Sequence, residues 1–156
     1  MTSPLVHHTP VASERVLALL APALTEPGAV LVDATVGLGG HSRMALDRFP
    51  AIRIIGIDRD PEALEIAAER LSASRERVHL VHAVFDEIPS ILADQGITFA
   101  DGVLFDLGVS SMQLDEARRG FSYAQDSELD MRMNPMDGHS ASQWINSASE
   151  KEISNV

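Results

Sequence analysis

The sequence contains no cysteine, and this absence excludes several kinds of chemistry. A chain without cysteine has no disulfide bonds and no metal site built from thiolates. It also cannot use any catalytic mechanism that depends on a cysteine nucleophile. Whatever the protein does, other side chains carry it out.

Long apolar runs and a secretion signal are also lacking. No stretch is apolar over the roughly 20 residues that a membrane-spanning helix needs. The first ten residues, MTSPLVHHTP, do not show the basic and then apolar pattern of a signal peptide. We therefore expect a cytoplasmic protein with no membrane partner.

Basic residues are few, with 12 Lys and Arg against 23 Asp and Glu, so the net charge is −11. Contacts with phosphate groups need Lys and Arg, and the charge therefore argues against a stand-alone nucleic-acid-binding protein. By itself, such a charge is typical of a well-solvated acidic surface. The 156 residues, 45% of them hydrophobic, suffice for one domain with a core.

Short apolar runs alternate with amphipathic segments along the first two thirds of the chain. The runs predict four strands, at residues 29–33, 52–58, 78–81 and 102–106. The amphipathic segments predict helices at residues 11–20 (ending near Pro22), 42–49, 61–71 and 89–95. This alternation predicts an α/β fold, a parallel sheet with helices on both faces. All four strands look apolar throughout, as a sheet covered on both faces requires.

Three of these predicted strands end in an aspartate: Asp33, Asp58 and Asp106. Ligands of parallel α/β sheets bind beyond the carboxyl ends of the strands, where these side chains are expected. One such aspartate alone is more simply explained as a helix cap or a turn residue. Three at equivalent places make that explanation less adequate.

Gly37, Gly39 and Gly40 follow the first predicted strand in the segment VDATVGLGGHS, residues 32–42. Glycine allows a positive φ and a close approach of the backbone to a ligand. The dinucleotide pattern G-x-G-x-x-G is not met, because Ser42 holds its last position. A tight turn without a ligand is the alternative interpretation.

Asp58 follows the glycines by about 20 residues, the spacing at which an acidic residue holds ribose hydroxyls. For Asp60, just before Pro61, a helix-capping role is favoured. Together these features indicate NAD, FAD or S-adenosylmethionine. The negative charges of Asp33 and Asp106 favour the cationic S-adenosylmethionine. His41 either contacts the carboxylate of the ligand or only caps the helix.

Five segments occur in a fixed order along the chain: HTPV at 8–11, VDATVGLGGHS, GIDRDPEAL at 56–64, FDLGVSSMQLDEARRGFSY at 105–123 and LDMRMN at 129–134. Together they resemble the RsmH (MraW) family. The resemblance implies a Rossmann-like class I methyltransferase that uses S-adenosyl-L-methionine to modify N4 of a cytidine in 16S ribosomal RNA. Family members are longer, with a helical substrate domain inserted after the fourth strand, and we expect this chain to be truncated after about four strands.

The resemblance also implies roles for individual residues. Phe85 corresponds to a position beside the adenine, whereas the residues alone predict a phenylalanine in the core. Gln113 corresponds to a residue that contacts the cofactor, whereas its neighbours in the sequence predict a solvated loop. The implied cofactor-binding residues are Gly39, Gly40, His41, Asp58, Phe85, Asp106 and Gln113. The expected division is a cofactor-binding portion at 1–107, a functional loop at 108–139 and the start of the substrate domain at 140–156.

The lack of cysteine is consistent with methylation at nitrogen or oxygen, because methylation at ring carbon C5 usually needs a cysteine nucleophile. Asp106 is the candidate catalytic residue, which would orient the N4 amine or accept its proton; binding only the cofactor is the alternative. Arg118, Arg119 and Arg132 are candidates for holding a base and its phosphates. The alternative is that they fasten the loop to Asp115, Asp126 and Asp130.

The expected partner is 16S rRNA within the small ribosomal subunit, with a homodimer left open. No metal site is expected, since the His7–His8 pair has no evident third ligand. Helix starts are predicted at Ser140, with Gln143 completing a capping box, and at Ser149. Two other functions stay open: another Rossmann-type nucleotide-dependent enzyme, and a truncated, non-catalytic nucleotide-binding or interaction module.

Overall fold

A computed structural model describes residues 10–156. The chain forms two compact units, one that extends to Leu107 and one from Gly108 to Val156. His7, His8 and the first two residues of HTPV lie outside the described residues. The predicted three-part division of the chain stays a prediction.

The first unit is a parallel sheet with helices in the connections. Its strands are β1 (Val30–Asp33), β2 (Arg53–Asp58), β3 (Val78–His82) and β4 (Gly102–Leu104). Its helices are α1 (Ser13–Leu24), α2 (Gly40–Arg48), α3 (Pro61–Leu71) and α4 (Ile88–Asp94), with 3₁₀ turns at Ser72–Arg77 and Phe85–Glu87. The strand order is β3-β2-β1-β4, and all pairs are parallel, so the predicted α/β class is confirmed.

Strand β1 lies inside the sheet and pairs with β2 on one side and β4 on the other. Asp33, its last residue, is in register with Gly56 of β2 and Leu104 of β4. All four residues of β1 are buried, which explains why this strand is a continuous apolar run ending in a single carboxylate. The carboxyl ends of the strands therefore meet at one edge, as the strand prediction required.

Two hydrophobic clusters cover the two faces of the sheet. One cluster joins Leu31 and Ile54 of the sheet to buried residues of three helices: Leu17 and Leu24 of α1, Ala45 and Leu46 of α2, and Leu71 of α3. The other joins the sheet residues that alternate with them to helix α4: Val30, Val32, Ile55, Ile57 and Ile91. Because successive strand residues point to opposite faces, one short run supplies both clusters.

The prediction that all four strands are apolar on both sides was wrong for the edge strand β3. His79 and His82 in this strand are exposed, whereas β2 is buried from Ile54 to Ile57. An edge strand has a neighbour on one side only, so polar side chains there do not need to be desolvated.

Two predicted element ends also differ from the structure. Helix α1 continues past Pro22 to Leu24, whose side chain is only 1% exposed. A proline in the last turn removes one hydrogen bond, and burial of Leu24 offsets that loss. Strand β4 ends at Leu104, so Asp106 lies two residues beyond the strand and does not end it.

The second unit contains three short helices, α5 (Ser111–Asp115), α6 (Ala141–Ser147) and α7 (Glu150–Ile153), and a 3₁₀ turn at Ala117–Arg119. The predicted capping box at Ser140 and Gln143 is confirmed, and Ser149 caps α7 in the same way with Glu152. Backbone hydrogen bonds from Ala141 to Asp130 and from Ser142 to Leu129 fasten α6 to the preceding segment. That segment is therefore an ordered connection.

Among residues 10–156, no helix has the length and apolar character to span a membrane. Within the same residues, no three His, Asp or Glu side chains form a group that could hold a metal ion.

Truncation of a central core residue tests this account of the fold. Ile55 is 1% exposed on the face covered by α4, and Ile55→Ala is expected to lower the free energy of unfolding by about 2–5 kcal/mol. Urea denaturation followed by circular dichroism measures the change. Leu19→Ala is the control, because Leu19 is 66% exposed and its truncation should change stability by less than about 0.5 kcal/mol. Equal effects of both substitutions would contradict the assignment of the core.

Candidate active site at the carboxyl edge of the sheet

Three aspartates lie at or just beyond the carboxyl ends of β1, β2 and β4, and their surroundings differ. Asp33 at the end of β1 is buried, Asp58 at the end of β2 is partly buried, and Asp106 beyond β4 is exposed. The edge of the sheet therefore carries a gradient from a desolvated carboxyl group to a solvated one.

Asp33 is 1% exposed, and its two carboxyl oxygens are not equivalent. Oδ2 accepts a 2.7 Å hydrogen bond from the hydroxyl of Ser42 in α2, whereas Oδ1 is buried with no hydrogen-bond partner in the structure. Burial raises the pKa of Asp33 to about 6, against the lowering effects of the Ser42 hydroxyl, of His41 and of the nearby backbone amide of Thr35, which makes no well-formed hydrogen bond to Oδ1. A buried acceptor without a partner is costly, and it is suited to receive a donor from a ligand.

Asp58 holds the glycine loop against β2. Its Oδ2 accepts a 2.7 Å hydrogen bond from the amide of Gly37, and its Oδ1 accepts one of 2.9 Å from the amide of Asp60. Desolvation raises the pKa of Asp58 above its ordinary value, although these amides act in the opposite direction. Each carboxylate oxygen has two lone pairs, so both keep capacity for ribose hydroxyls. Asp60 caps α3 through the amide of Glu62, which confirms the structural role predicted for it.

Gly39 and Gly40 are explained largely by the protein's own packing. Gly39 has φ +77°, and a Cβ there would lie 3.3 Å from the side chain of Leu71 in α3. A Cβ on Gly40 would lie 2.6 Å from Pro10. The absence of side chains therefore lets α2 begin close to α3 and to the segment before α1. The cofactor contacts predicted for these two glycines stay predictions.

His41 lies at the start of α2 and connects two other parts of the site. Its Nε2 is 3.0 Å from the carbonyl oxygen of Val11, and its Nδ1 is 3.7 Å from Oδ2 of Asp106. The ring is buried, whereas the side chain of Asp106 is 49% exposed. The hydroxyl of Thr35 accepts a 2.7 Å hydrogen bond from the amide of Asp106, which fixes the backbone there.

Phe85 is 49% exposed, so the interpretation of it as a core residue was wrong. Its ring meets that of Phe105 edge to face, with centroids 5.6 Å apart. Phe85 follows β3 and Phe105 follows β4, the two outer strands of the sheet. Two half-exposed aromatic rings at the carboxyl edge of the sheet suit a planar heterocycle.

Gln113 belongs to the second unit, and the solvated loop predicted from its neighbours was wrong. It is 5% exposed and completes a capping box at the start of α5, where Oε1 accepts a 3.0 Å hydrogen bond from the amide of Ser110. The Ser110–Gln113 spacing is itself a sequence signal for such a box. A cofactor contact of Gln113 stays a prediction.

The three arginines proposed for substrate binding all have partners within the second unit. Arg119 is 3% exposed and donates to the carbonyl oxygens of Arg132 and Met133 at 3.1 and 3.0 Å. The guanidinium of Arg132 donates two hydrogen bonds to Asp130 and its backbone amide donates a third, and these lower the pKa of that carboxyl group. Arg118 pairs with Glu116. For Arg119 and Arg132 the geometry favours the fastening role.

Sequence reasoning missed Thr35, Ser42 as the partner of Asp33, and Phe105. Thr35 and Ser42 each make one hydrogen bond to a residue of another segment. Local sequence patterns do not predict such bonds. Phe105 was assigned to a strand, where an aromatic residue is usually taken as core.

The raised pKa of Asp33 predicts an unusual dependence of stability on pH. The pKa of the Asp33 carboxyl group is about 6 in the folded chain and 3.8 in the unfolded chain. Protonation of Asp33 therefore stabilises the fold at low pH, and this stabilisation is lost as pH rises through 6. Asp33→Asn, which keeps an acceptor for Ser42, should therefore gain about 3 kcal/mol of stability relative to the wild type between pH 4 and pH 7. Urea unfolding at successive pH values measures the gain.

The exposed Asp94→Asn variant serves as the control, and its stability relative to the wild type should stay constant over this range. A pH-independent difference for Asp33→Asn would show that the buried carboxyl group is not protonated preferentially in the folded state.

Comparisons with known proteins agree on one family. The model of the MraW methylase family matches residues 5–156. The "Ribosomal RNA small subunit methyltransferase H" of Streptomyces avermitilis is 57% identical over 146 residues, which cover 94% of this chain and 46% of that protein. The protein of the same name from Leifsonia xyli subsp. xyli is 61% identical over 127 residues, covering 81% and 39%. The chain thus spans about half the length of the curated relatives it matches, and it belongs to the MraW methylase family.

Proposed function

We propose that the chain forms the cofactor-binding part of an S-adenosyl-L-methionine-dependent methyltransferase. The observation that carries this proposal is the buried, unpartnered Oδ1 of Asp33 beside two further carboxylates at the carboxyl edge of the sheet. Such a site favours a cation that brings its own hydrogen-bond donors. Membership of a methylase family supports the same cofactor.

The residues present fit this cofactor. Asp58 would hold the ribose hydroxyls, and Phe85 would lie beside the adenine. Asp106 and His41, with the backbone of Gly39 and Gly40, would hold the methionine part, and Gln113 is a further proposed contact. A dinucleotide fits less well, because its pyrophosphate would meet carboxylates where it needs bare amides.

The cofactor, when bound, supplies a methyl group on a positively charged sulfur. An amine that accepts this methyl group forms a bond with its lone pair and gives up one proton. Asp106, the exposed carboxylate, would orient the amine or accept that proton. The absence of cysteine agrees with attack by nitrogen or oxygen.

The proposed substrate is the N4 amine of a cytidine in 16S rRNA of the small ribosomal subunit, which places the reaction in the cytoplasm. Relatives that are 57–61% identical are named as ribosomal RNA small subunit methyltransferases, which supports ribosomal RNA as the substrate. The N4 amine rests on the family resemblance of the sequence. Arg118, the most exposed of the three arginines, is the best candidate among them to contact RNA. The net charge of −11 indicates that further basic surface is needed for RNA binding. A homodimer stays an untested proposal.

Calorimetric titration with S-adenosylmethionine tests the cofactor. Asp58→Ala should weaken binding by about tenfold to a hundredfold, because two charge-assisted hydrogen bonds to the ribose are lost. Since Asp58 also holds Gly37, Phe85→Ala is a second variant outside that network, and it should weaken binding as well. Asp86→Ala is the control, because Asp86 is exposed beside Phe85. Preference for NAD, or no binding by a folded chain, would overturn the proposal.

Asp106→Asn separates the two roles considered for this residue. If Asp106 accepts the proton, methylation of small ribosomal subunits should slow by about 10²- to 10⁴-fold, with cofactor affinity nearly unchanged. Incorporation of labelled methyl groups and calorimetry measure the two quantities. Weaker cofactor binding with an unchanged rate at saturation would assign Asp106 to the cofactor alone. A wild-type chain that binds cofactor without methylating would show that activity requires more than these residues.

A further inference from the structure

Three arginines lie together at the amino edge of the sheet, opposite the edge that carries the aspartates. Arg53 is the first residue of β2, and Arg77 directly precedes β3. Ile54 of β2 is in register with Val78 of β3, so Arg53 and Arg77 begin two neighbouring strands that are about 5 Å apart. Arg75 lies two residues before Arg77 in the same 3₁₀ turn. We call Arg53, Arg75 and Arg77 the arginine patch.

The positive charge of the arginine patch is not neutralised by carboxylates of the protein. Within residues 10–156, none of its three guanidinium groups forms an ion pair, and Glu76 in the same turn is exposed and pairs with none of them. Arg53 and Arg75 are exposed. Arg77 is held by a hydroxyl group instead, because Nη2 donates a 3.2 Å hydrogen bond to Oγ of Ser74, while Nη1 is buried without a partner.

Several other arginines of the first unit have a structural explanation that the patch lacks. Arg43 pairs with Asp47, and Arg48 pairs with Glu14. Arg70 lies in the last turn of α3, where a cation stabilises the carbonyl end of a helix. The chain has 23 acidic and 12 basic residues, so three neighbouring arginines without a carboxylate run against its composition. Because like charges repel, an anion that binds among them would be stabilised.

We propose that the arginine patch binds phosphate groups of RNA, at a place separate from the cofactor site. A guanidinium group presents its N–H donors in a planar fork that matches the oxygens of a phosphate. RNA carries a phosphate at every nucleotide, so one strand can engage several neighbouring guanidinium groups at once. The inference rests on the proposed function for the identity of the RNA, which is the ribosomal RNA that receives the methyl group.

The arginine patch and the candidate active site lie at opposite ends of β2. This strand has six residues, Arg53–Asp58, which span about 17 Å at about 3.3 Å per residue. Phosphates are repelled by the aspartates at the carboxyl edge and attracted by the patch at the amino edge. The patch therefore contributes to the affinity for RNA without contacting the cofactor.

Fluorescence anisotropy of a fluorescein-labelled, single-stranded RNA oligonucleotide, titrated with the full chain, tests the proposal. Arg53→Gln/Arg75→Gln removes two exposed guanidinium groups and should weaken binding about tenfold at about 0.1 M salt. The steepness of log affinity against log salt concentration should fall by about 1.4, because two phosphate contacts are lost. Arg77→Gln alone should lower it by about 0.7, and circular dichroism checks that each variant is folded.

Arg15→Gln/Lys151→Gln is the matched control. Arg15 and Lys151 are also exposed and form no ion pair within the part of the chain that the structure describes, and their loss changes the net charge by the same amount. This variant should lose much less affinity for RNA. Equal losses in both double variants would show that only net charge matters and would overturn the proposal. A folded wild-type chain that binds no RNA at about 50 mM salt would do the same.

Titration with inorganic phosphate alone separates RNA from a small anion as the occupant. Saturable binding of phosphate that Arg53→Gln/Arg75→Gln abolishes, with RNA binding unchanged, would exclude RNA as the ligand of the patch. The affinity of the same variant for S-adenosylmethionine should equal that of the wild type. Failure of the inference would therefore appear in the anisotropy with RNA, whereas failure of the proposed function would appear in the calorimetric titration with S-adenosylmethionine.

Discussion

The pairing of β1 with a strand on each side is the constraint on which the candidate site depends. Asp33 ends β1 in register with Gly56 of β2 and Leu104 of β4, and β2 continues for two more residues. Asp58 is therefore the last residue of β2, and Asp106 lies two residues beyond β4. Because β1 is completely buried, its terminal carboxyl group is desolvated as well. The same packing that stabilises the sheet therefore creates the electrostatic character of the site.

The three carboxyl groups at this edge of the sheet differ in how far they are exposed to solvent. Asp33 is buried and has a raised pKa, Asp58 is partly buried and fastened to two backbone amides, and Asp106 is half exposed beside His41. These surroundings are consistent with the three tasks proposed for them: attraction of a cation, recognition of a diol and acceptance of a proton. Three aspartates of identical chemistry thus differ in desolvation and in hydrogen bonding only through their environments.

In the second unit, arginine side chains bind carbonyl and carboxyl groups of the same unit. Buried Arg119 holds the carbonyl groups of Arg132 and Met133, and Arg132 pairs with Asp130. These hydrogen bonds satisfy backbone acceptors in a segment with little regular structure, where they would otherwise lack partners. A long polar segment rich in arginine can therefore be an ordered connection, and its composition alone does not identify a surface that binds RNA.

The sequence by itself determined the alternation of strands and helices, the parallel sheet and the placing of acidic residues beyond its strands, because these follow from local periodicity and from the geometry of parallel sheets. It also determined the helix cap at Asp60 and the capping box at Ser140 and Gln143, which depend on residues close in the chain. Only the tertiary structure decided that Phe85 is exposed, that Gln113 is buried, and that His41 lies between Val11 and Asp106. Those properties depend on contacts between residues 30 or more positions apart, or on how much solvent the whole fold leaves at a site, and no local pattern records either.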